Sequence, residues 1–271
     1  MDQVNYFCGM YSFLNYKNIK IRYRSEGKGT AVVLLHGFLE NLTMWDAYTS
    51  ELAMKNRIVT IDLLGHGQTE CLGYVHTMEQ QAEIVMAVLH HLRLQKFILV
   101  GHSMGGYVAL AIAQMYPEKI KGLCLMNSTA LPDSDEKKKN RDRAIKAVKH
   151  NKKTFIKVAI PNLFSEQNKS VYRKEAGEII QEALQMPTQG VIAALEGMKI
   201  RKSRASVLKK NTFNKLLVIG KQDPALEYES LIKQVKNTNV KVAEFPDGHM
   251  SHVENKTELF HTIRNFIWSC N

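Results

Sequence analysis

An α/β fold is what this 271-residue sequence predicts: a mostly parallel central sheet flanked by helices, with a helical insertion. Three observations predict it. Short, largely apolar runs recur at residues 31–35, 57–62, 96–100, 122–127 and 216–220, as strands buried on both faces should, and a last strand is read at 240–245. Helical segments alternate with them, supplying the crossovers that parallel strands require. The alternation lapses once, between Asp133 and Lys210, where helical periodicity stands alone. The expected organisation is therefore a core of residues 1–131 and 211–271, with a helical segment of residues 132–210 inserted into it.

In chain order, residues 11–16 and 19–25 read as a hairpin turning at Asn18, with Ile19, Ile21 and Tyr23 alternating with Lys20, Arg22 and Arg24. Glu26-Gly27-Lys28-Gly29 ends it. The strand at 31–35 runs into His36-Gly37-Phe38, residues 45–54 read as a helix, and the strand at 57–62 leads into Leu63-Leu64-Gly65-His66-Gly67-Gln68-Thr69. A helix over 77–92 is opened by Thr77, with Gln80 three residues on as in a capping box. His90 and His91 fall in its last turn, where the helix dipole favours a cation. The strand at 96–100 meets Gly101-His102-Ser103-Met104-Gly105-Gly106, and a helix over 107–115 is stopped by Tyr116-Pro117. Ser128-Thr129-Ala130 follows the strand at 122–127.

In the helical third, Tyr172, Ala176, Ile179, Ile180, Ala183 and Leu184 form one stripe. Residues 191–195 are apolar on every side, which places them between two lobes rather than on a surface. The strand at 216–220 runs into Lys221-Gln222-Asp223-Pro224, and that at 240–245 into Pro246-Asp247-Gly248-His249-Met250. An amphipathic helix over 259–268 closes the chain.

The stretch from Gly101 to Gly105 fits G-x-S-x-G between a strand and a helix, the context of a nucleophile elbow. Glycines at its ends let the backbone turn sharply, leaving Ser103 at the tip and the Met104 N–H at a helix N-terminus that favours an anion. A serine hydroxyl attacks a carbonyl near neutral pH only if a base takes its proton, and the base needs a carboxylate to orient it. Asp223 and His249 each follow a strand-like run, where loops at the carboxyl ends of parallel strands converge.

On these residues the chain resembles the α/β-hydrolase family over nearly its whole length, as a cap-bearing serine hydrolase. The resemblance implies Ser103 as nucleophile, His249 as base and Asp223 as its orienter, with backbone N–H groups of Phe38 and Met104 as the oxyanion hole. It implies loop roles for His36, Asp62 and His66. His249 is preferred to His252 because it follows Gly248 and stands five residues before Glu254, although Lys256 occupies a position where proline is common. Asp247 is adjacent to the base, and Asp223 is preferred as its orienter. Serine at 103 argues against the relatives that use aspartate there, the haloalkane dehalogenases and epoxide hydrolases.

The implied activity is cleavage of carboxylic esters of small to medium acyl groups through an acyl-enzyme, with no cofactor. Thioesterases, C–C-bond hydrolases and cofactor-free perhydrolases share the triad, and a ligand receptor on the same scaffold is the reading from a different class. Residues 191–198 with Met186 suit an acyl or aromatic pocket, or plain packing between lobes.

Composition bounds the partners. Cys8, Cys71, Cys124 and Cys270 are scattered without metal-ligand spacing, and residues 1–5 have neither a basic segment nor a following apolar one. A cytoplasmic chain with reduced thiols and no structural metal is expected, and no run approaches the ~20 apolar residues that span a bilayer. Net charge is +11, and residues 132–210 hold 19 Lys+Arg against 9 Asp+Glu, a balance of +10. That third contains only Phe155, Phe164 and Tyr172 as aromatics, which disfavours nucleic acid as a partner. The run Lys137, Lys138, Lys139, Arg141, Arg143 reads as a solvated helix start, with attraction of an anionic ester or acyl-CoA as the alternative role.

Overall fold

The computed structural model describes residues 11–210 and 212–271, so Cys8 lies outside the described residues. Its strands are β1 (Ser12–Tyr16), β2 (Ile19–Glu26), β3 (Thr30–Leu35), β4 (Asn56–Ile61), β5 (Phe97–His102), β6 (Ile120–Met126), β7 (Asn214–Gly220) and β8 (Lys241–Phe245). They form one sheet in the order β1-β2-β4-β3-β5-β6-β7-β8. From β4 to β8 every neighbouring pair is parallel, while β2 runs antiparallel to both β1 and β4. Lys17 and Asn18 both take positive φ (47° and 65°), the two-residue turn whose twist suits a hairpin.

The helices are α1 (Asp46–Ala53), α2 (Met78–His91), α3 (Met104–Met115), α4 (Asp135–Ala159), α5 (Asn168–Val171), α6 (Arg173–Leu184), α7 (Thr188–Lys199), α8 (Ala205–Lys210), α9 (Tyr228–Val235), α10 (Ser251–Glu254) and α11 (Lys256–Ser269). Alternation along the strands feeds two cores. Val33, Leu35 and Leu99 face α2 and α3 through Val85, Val88 and Val108, while Val32, Leu34, Ile98 and Val100 face Trp45, Tyr48, Leu259 and Ile263 on the opposite side. This is the α/β-hydrolase arrangement, with α4 to α8 inserted between β6 and β7. No helix among the described residues is long and apolar enough to cross a membrane.

Several boundaries differ from the sequence reading for physical reasons. The helix after the elbow starts at Met104 rather than 107, because Gly105 and Gly106 are already inside its first turn. The helix expected over 45–54 is preceded by a 3-10 turn, Leu42–Trp45, whose Asn41 side chain accepts from the Thr43 N–H. Helix α9 was not anticipated; it is eight residues long and buries only Leu231, Gln234 and Val235 beneath a charged face. Helix α4 breaks at Asn151 (φ −156°, ψ 92°), whose side chain caps the next turn by accepting from Thr154 N–H at 3.0 Å. The capping box of α2 forms in both directions between Thr77 and Gln80.

Candidate active site

Ser103 ends β5 and opens α3 at φ 48°, ψ −112°, a conformation that costs a non-glycine residue energy. A Cβ at Gly105 would collide with the Leu35 carbonyl oxygen, and one at Gly101 with the Gly105 carbonyl, so the turn tolerates only hydrogen at both places. The bend is also tied to β6: Ser103 N–H donates to Met126 O at 2.9 Å, and Ser128 Oγ donates to Ser103 O at 2.8 Å.

Three strand ends converge here. His249, in the loop after β8, places Nε2 2.8 Å from Ser103 Oγ and Nδ1 2.7 Å from Asp223 Oδ2. Asp223, in the loop after β7, accepts from the Ala225 and Leu226 amides through Oδ1, at 2.8 and 3.1 Å. Burial would raise the Asp223 pKa, but the neighbouring His249 and these donors outweigh it and lower it, so the carboxylate stays ionised. An ionised Asp223 accepts from Nδ1–H, which leaves Nε2 as the nitrogen able to take a proton from Ser103.

The residues set aside in the sequence reading lie elsewhere. Asp247 accepts from Asn255, Asn168 and Gln167 side chains at 2.7 to 3.3 Å. His252 points to Glu40, 3.4 Å away. Asp62 accepts from the Leu42 and Gln68 amides, each at 2.8 Å, and His66 is fully buried against the Leu64 carbonyl at 3.0 Å. His36 accepts the Leu63 N–H through Nε2 at 2.9 Å, a fixed loop contact. Among the described residues, neither the Phe38 nor the Met104 N–H donates to a protein acceptor, so both are available beside Ser103.

Three contributors were missed. Asn127, at φ 45° just past β6, donates to Asp223 Oδ2 (3.3 Å) and Gly248 O (3.1 Å), tying the acid loop to the base loop. Glu40 and His102 form a buried pair behind His249, with Glu40 Oε2 2.7 Å from His102 Nδ1. The same carboxylate oxygen accepts the Gly37 N–H at 2.6 Å, and His102 Nε2 lies 3.0 Å from His249 O. Both His102 ring nitrogens thus face acceptors, which only the doubly protonated ring can satisfy. Burial works against that charge, but the Glu40 carboxylate and the His249 carbonyl raise the His102 pKa above the ordinary value.

Burial would likewise raise Glu40, yet His102, His252 and the Gly37 amide hold it at about 2. The side chains of Glu40, His102 and His252 come close enough, within 4.8 Å, to share a metal ion, but Oε2 of Glu40 is already turned to two N–H donors. His252 is held neutral, with a pKa lowered to about 4 mainly by burial.

A cavity of about 350 Å³ opens onto Ser103 and His249. Leu195 and Met198 from α7 and Phe155 and Ala144 from α4 supply its apolar walls, while Val191 and Met186 are packed behind, 0% and 2% exposed. Lys137, Asn140 and Arg141 line it as well, whereas Lys138, Lys139 and Arg143 are exposed, so the basic run is solvated only in part.

A family model described as the alpha/beta hydrolase fold matches residues 30–256. Among solved structures, a thermophilic esterase from Thermogutta terrifontis superposes with a TM-score of 0.87 at 30% identity, over 96% of this chain and 99% of that one. An acetyltransferase component of the acetoin cleaving system from Pseudomonas putida is 37% identical over 106 residues, 39% of this chain and 29% of that protein. A putative 2-succinyl-6-hydroxy-2,4-cyclohexadiene-1-carboxylate synthase from Bacillus subtilis is 34% identical over 115 residues, 40% of this chain and 42% of that protein. The chain thus spans less than half the length of both curated relatives.

Proposed function

The chain belongs to the α/β-hydrolase family, and we propose that within it the protein is a cytoplasmic serine esterase that cleaves carboxylic esters of small to medium acyl groups. The observation that carries the reading is the hydrogen-bonded chain from Ser103 Oγ through His249 to Asp223, at 2.8 and 2.7 Å. The resemblance to the Thermogutta esterase supports the ester as substrate. The cavity volume supports the acyl size, since about 350 Å³ sits at the lower end of ligand pockets, roughly 300–1,000 Å³. Cys71, Cys124 and Cys270 are free thiols, in keeping with a reducing compartment.

In the first step Ser103 Oγ forms a bond to the ester carbonyl carbon while its proton passes to His249 Nε2. The carbonyl oxygen becomes an oxyanion between the Phe38 and Met104 N–H groups. The bond to the alkoxy oxygen then breaks, and that oxygen takes the proton from His249, releasing the alcohol and leaving an acyl-Ser103. Water attacks the acyl carbon, gives its proton to His249, and the Ser103–acyl bond breaks with return of that proton to Oγ. Asp223 holds the imidazole tautomer and balances the imidazolium in both halves. The helices over residues 132–210 act as a cap that encloses the acyl group.

The test is labelling by a fluorophosphonate probe, together with turnover of nitrophenyl esters of increasing acyl length. Labelling of Ser103 and a loss on the order of 10⁶ in kcat in Ser103→Ala are expected. A Ser103→Ala protein keeping a tenth of the activity overturns the reading.

A further inference from the structure

One face of α4 turns a set of charges toward the catalytic cavity. Lys137, Asn140, Arg141 and Ala144, spaced i, i+3, i+4 and i+7, share that face and line the cavity with Ser103 and His249. The carboxylate these cations pair with is Asp133, 3% exposed and already shared: Oδ2 lies 3.1 Å from Arg141 Nε and Oδ1 2.7 Å from an Arg201 terminal nitrogen. Lys137 Nζ donates to the Ala225 carbonyl at 3.1 Å, and among the described residues no ion pair joins it to a carboxylate. Lys137 and Arg141 thus stand on the cavity wall near one buried carboxylate, which Arg141 already shares with Arg201.

The other charges at the cavity do not redress this excess. Glu40 is paired with His102, and Asp223 is committed to His249 and two backbone amides. Arg201 also lies 4.1 Å over the Tyr107 ring, which itself lines the cavity, so the guanidinium is fixed in place rather than free to swing into water. Burial lowers the Lys137 pKa, with Asp133 and Asp223 opposing it and repulsion by Arg201 and Arg141 adding to it. A half-buried cation of this kind gains from an anion that enters its site, because partly desolvated pairs are screened less than exposed ones.

We propose that the cavity is built for an ester carrying a carboxylate of its own, which Lys137 and Arg141 hold while Ser103 attacks the ester carbonyl. The inference rests on the serine-esterase reading and narrows its substrate to anionic esters. Contact at the cavity wall is what does the selecting; the exposed Lys138, Lys139 and Arg143 sit in solvent on other faces of the same helix. Asn140, uncharged and on the same face, adds an amide donor beside the two cations.

The experiment uses two matched pairs of esters. The 4-nitrophenyl monoester of glutaric acid is compared with 4-nitrophenyl pentanoate, which puts the carboxylate on the acyl side. 4-Carboxyphenyl acetate is compared with phenyl acetate, which puts it on the alcohol side. In Lys137→Met the ratio of kcat/KM for the anionic ester to that for its neutral partner should fall about tenfold in one of the pairs, mainly through KM, and Lys137→Arg should restore it. The pair that responds tells which side of the ester faces the cations. Ratios that stay within a factor of two in both pairs overturn the inference.

Binding of glutarate alone provides a readout that needs no turnover. Calorimetry should show glutarate binding to the unmodified protein, competitive with neutral-ester hydrolysis and weakened in Lys137→Met; no binding at millimolar glutarate also overturns the inference. Failure of the serine-esterase reading looks different: Ser103 is not labelled and neither neutral ester is cleaved. If Ser103 is labelled and the neutral esters turn over while the anionic ones gain nothing, the anion subsite alone is wrong.

Discussion

Replacing Glu40 by Gln removes one charge and changes no volume, yet the structure makes it costly. The carboxyl is 5% exposed and its pKa is held at about 2 against an ordinary 4.5, burial being overcome by His102, His252 and the Gly37 amide. A folded-state pKa below the unfolded one means stabilisation that is fully present above pH ~4.5 and lost as pH falls toward ~2. A difference of about 2.5 pH units, at about 1.4 kcal/mol each, gives roughly 3 kcal/mol at pH 7. That energy is shared among His102, His252 and the Gly37 amide, His102 first, and is counted once. At about 2–4 °C per kcal/mol for a chain of this size, Glu40→Gln should lower Tm by roughly 6–12 °C.

Two further readouts separate a charge pair from a lost contact. The His102 ring, doubly protonated beside the carboxylate, should become neutral at pH 7 in Glu40→Gln, which its ring nitrogen chemical shifts report. Gly37 loses part of its acceptor, and it precedes Phe38, so kcat should fall on the order of tenfold while KM moves little. Urea unfolding at pH 7 measures the first effect. A loss under ~1 kcal/mol, or a His102 that stays charged in the variant, refutes the reasoning.

Other expectations are more local. His249→Ala should abolish ester turnover as fully as Ser103→Ala, while His252→Ala should keep most of it; steady-state kinetics on one neutral ester compare the two, and reversed losses would assign the base to His252. Asp223→Asn should leave the loop folded but lower kcat by about 10⁴, since an amide no longer selects the Nδ1–H tautomer. Ser103→Gly should raise Tm by a few degrees while removing activity, because releasing a strained φ of 48° returns about 1–3 kcal/mol; an unchanged Tm would mean the turn carries no strain. His76, whose pKa is lowered to about 4 by burial, stays neutral in the fold while the unfolded chain protonates below pH ~6.5. This group alone should cost up to about 3 kcal/mol of stability between pH ~6.5 and ~4, and His76→Gln should make that limb shallower in urea titrations, His252 leaving its own share.

The centre of the sheet was legible because β5 and β7 are buried on both faces and read as apolar runs, and because Ser103, Asp223 and His249 each stand within four residues of a strand's end, His249 after the more exposed edge strand β8. Position along a strand is a one-dimensional property. Glu40 shows where that legibility stops: its partner His102 is 62 residues away, and each looks in sequence like an ordinary loop polar residue. Asn127 is hidden in the same way, since it binds Asp223 across 96 residues and Gly248 across 121. Helix α9 escaped notice for a local reason, being about two amphipathic turns that bury only Leu231, Gln234 and Val235.

The basic run on α4 combines both cases. Read as composition, Lys137 to Arg143 is a solvated stretch, and for Lys138, Lys139 and Arg143 that is what the structure shows. Read at helical period, Lys137, Asn140 and Arg141 fall on the side that continues into Ala144, Ile145 and Val148, the last two of which are 5% and 2% exposed. A cation at i and another at i+4, in register with a buried stripe, share the helix face that turns toward the core, and here both are half-buried. The register was present in the sequence; what it lacked was the buried Asp133 partner and the cavity beneath, which only the packing of α4 over the ends of β5, β7 and β8 brings together.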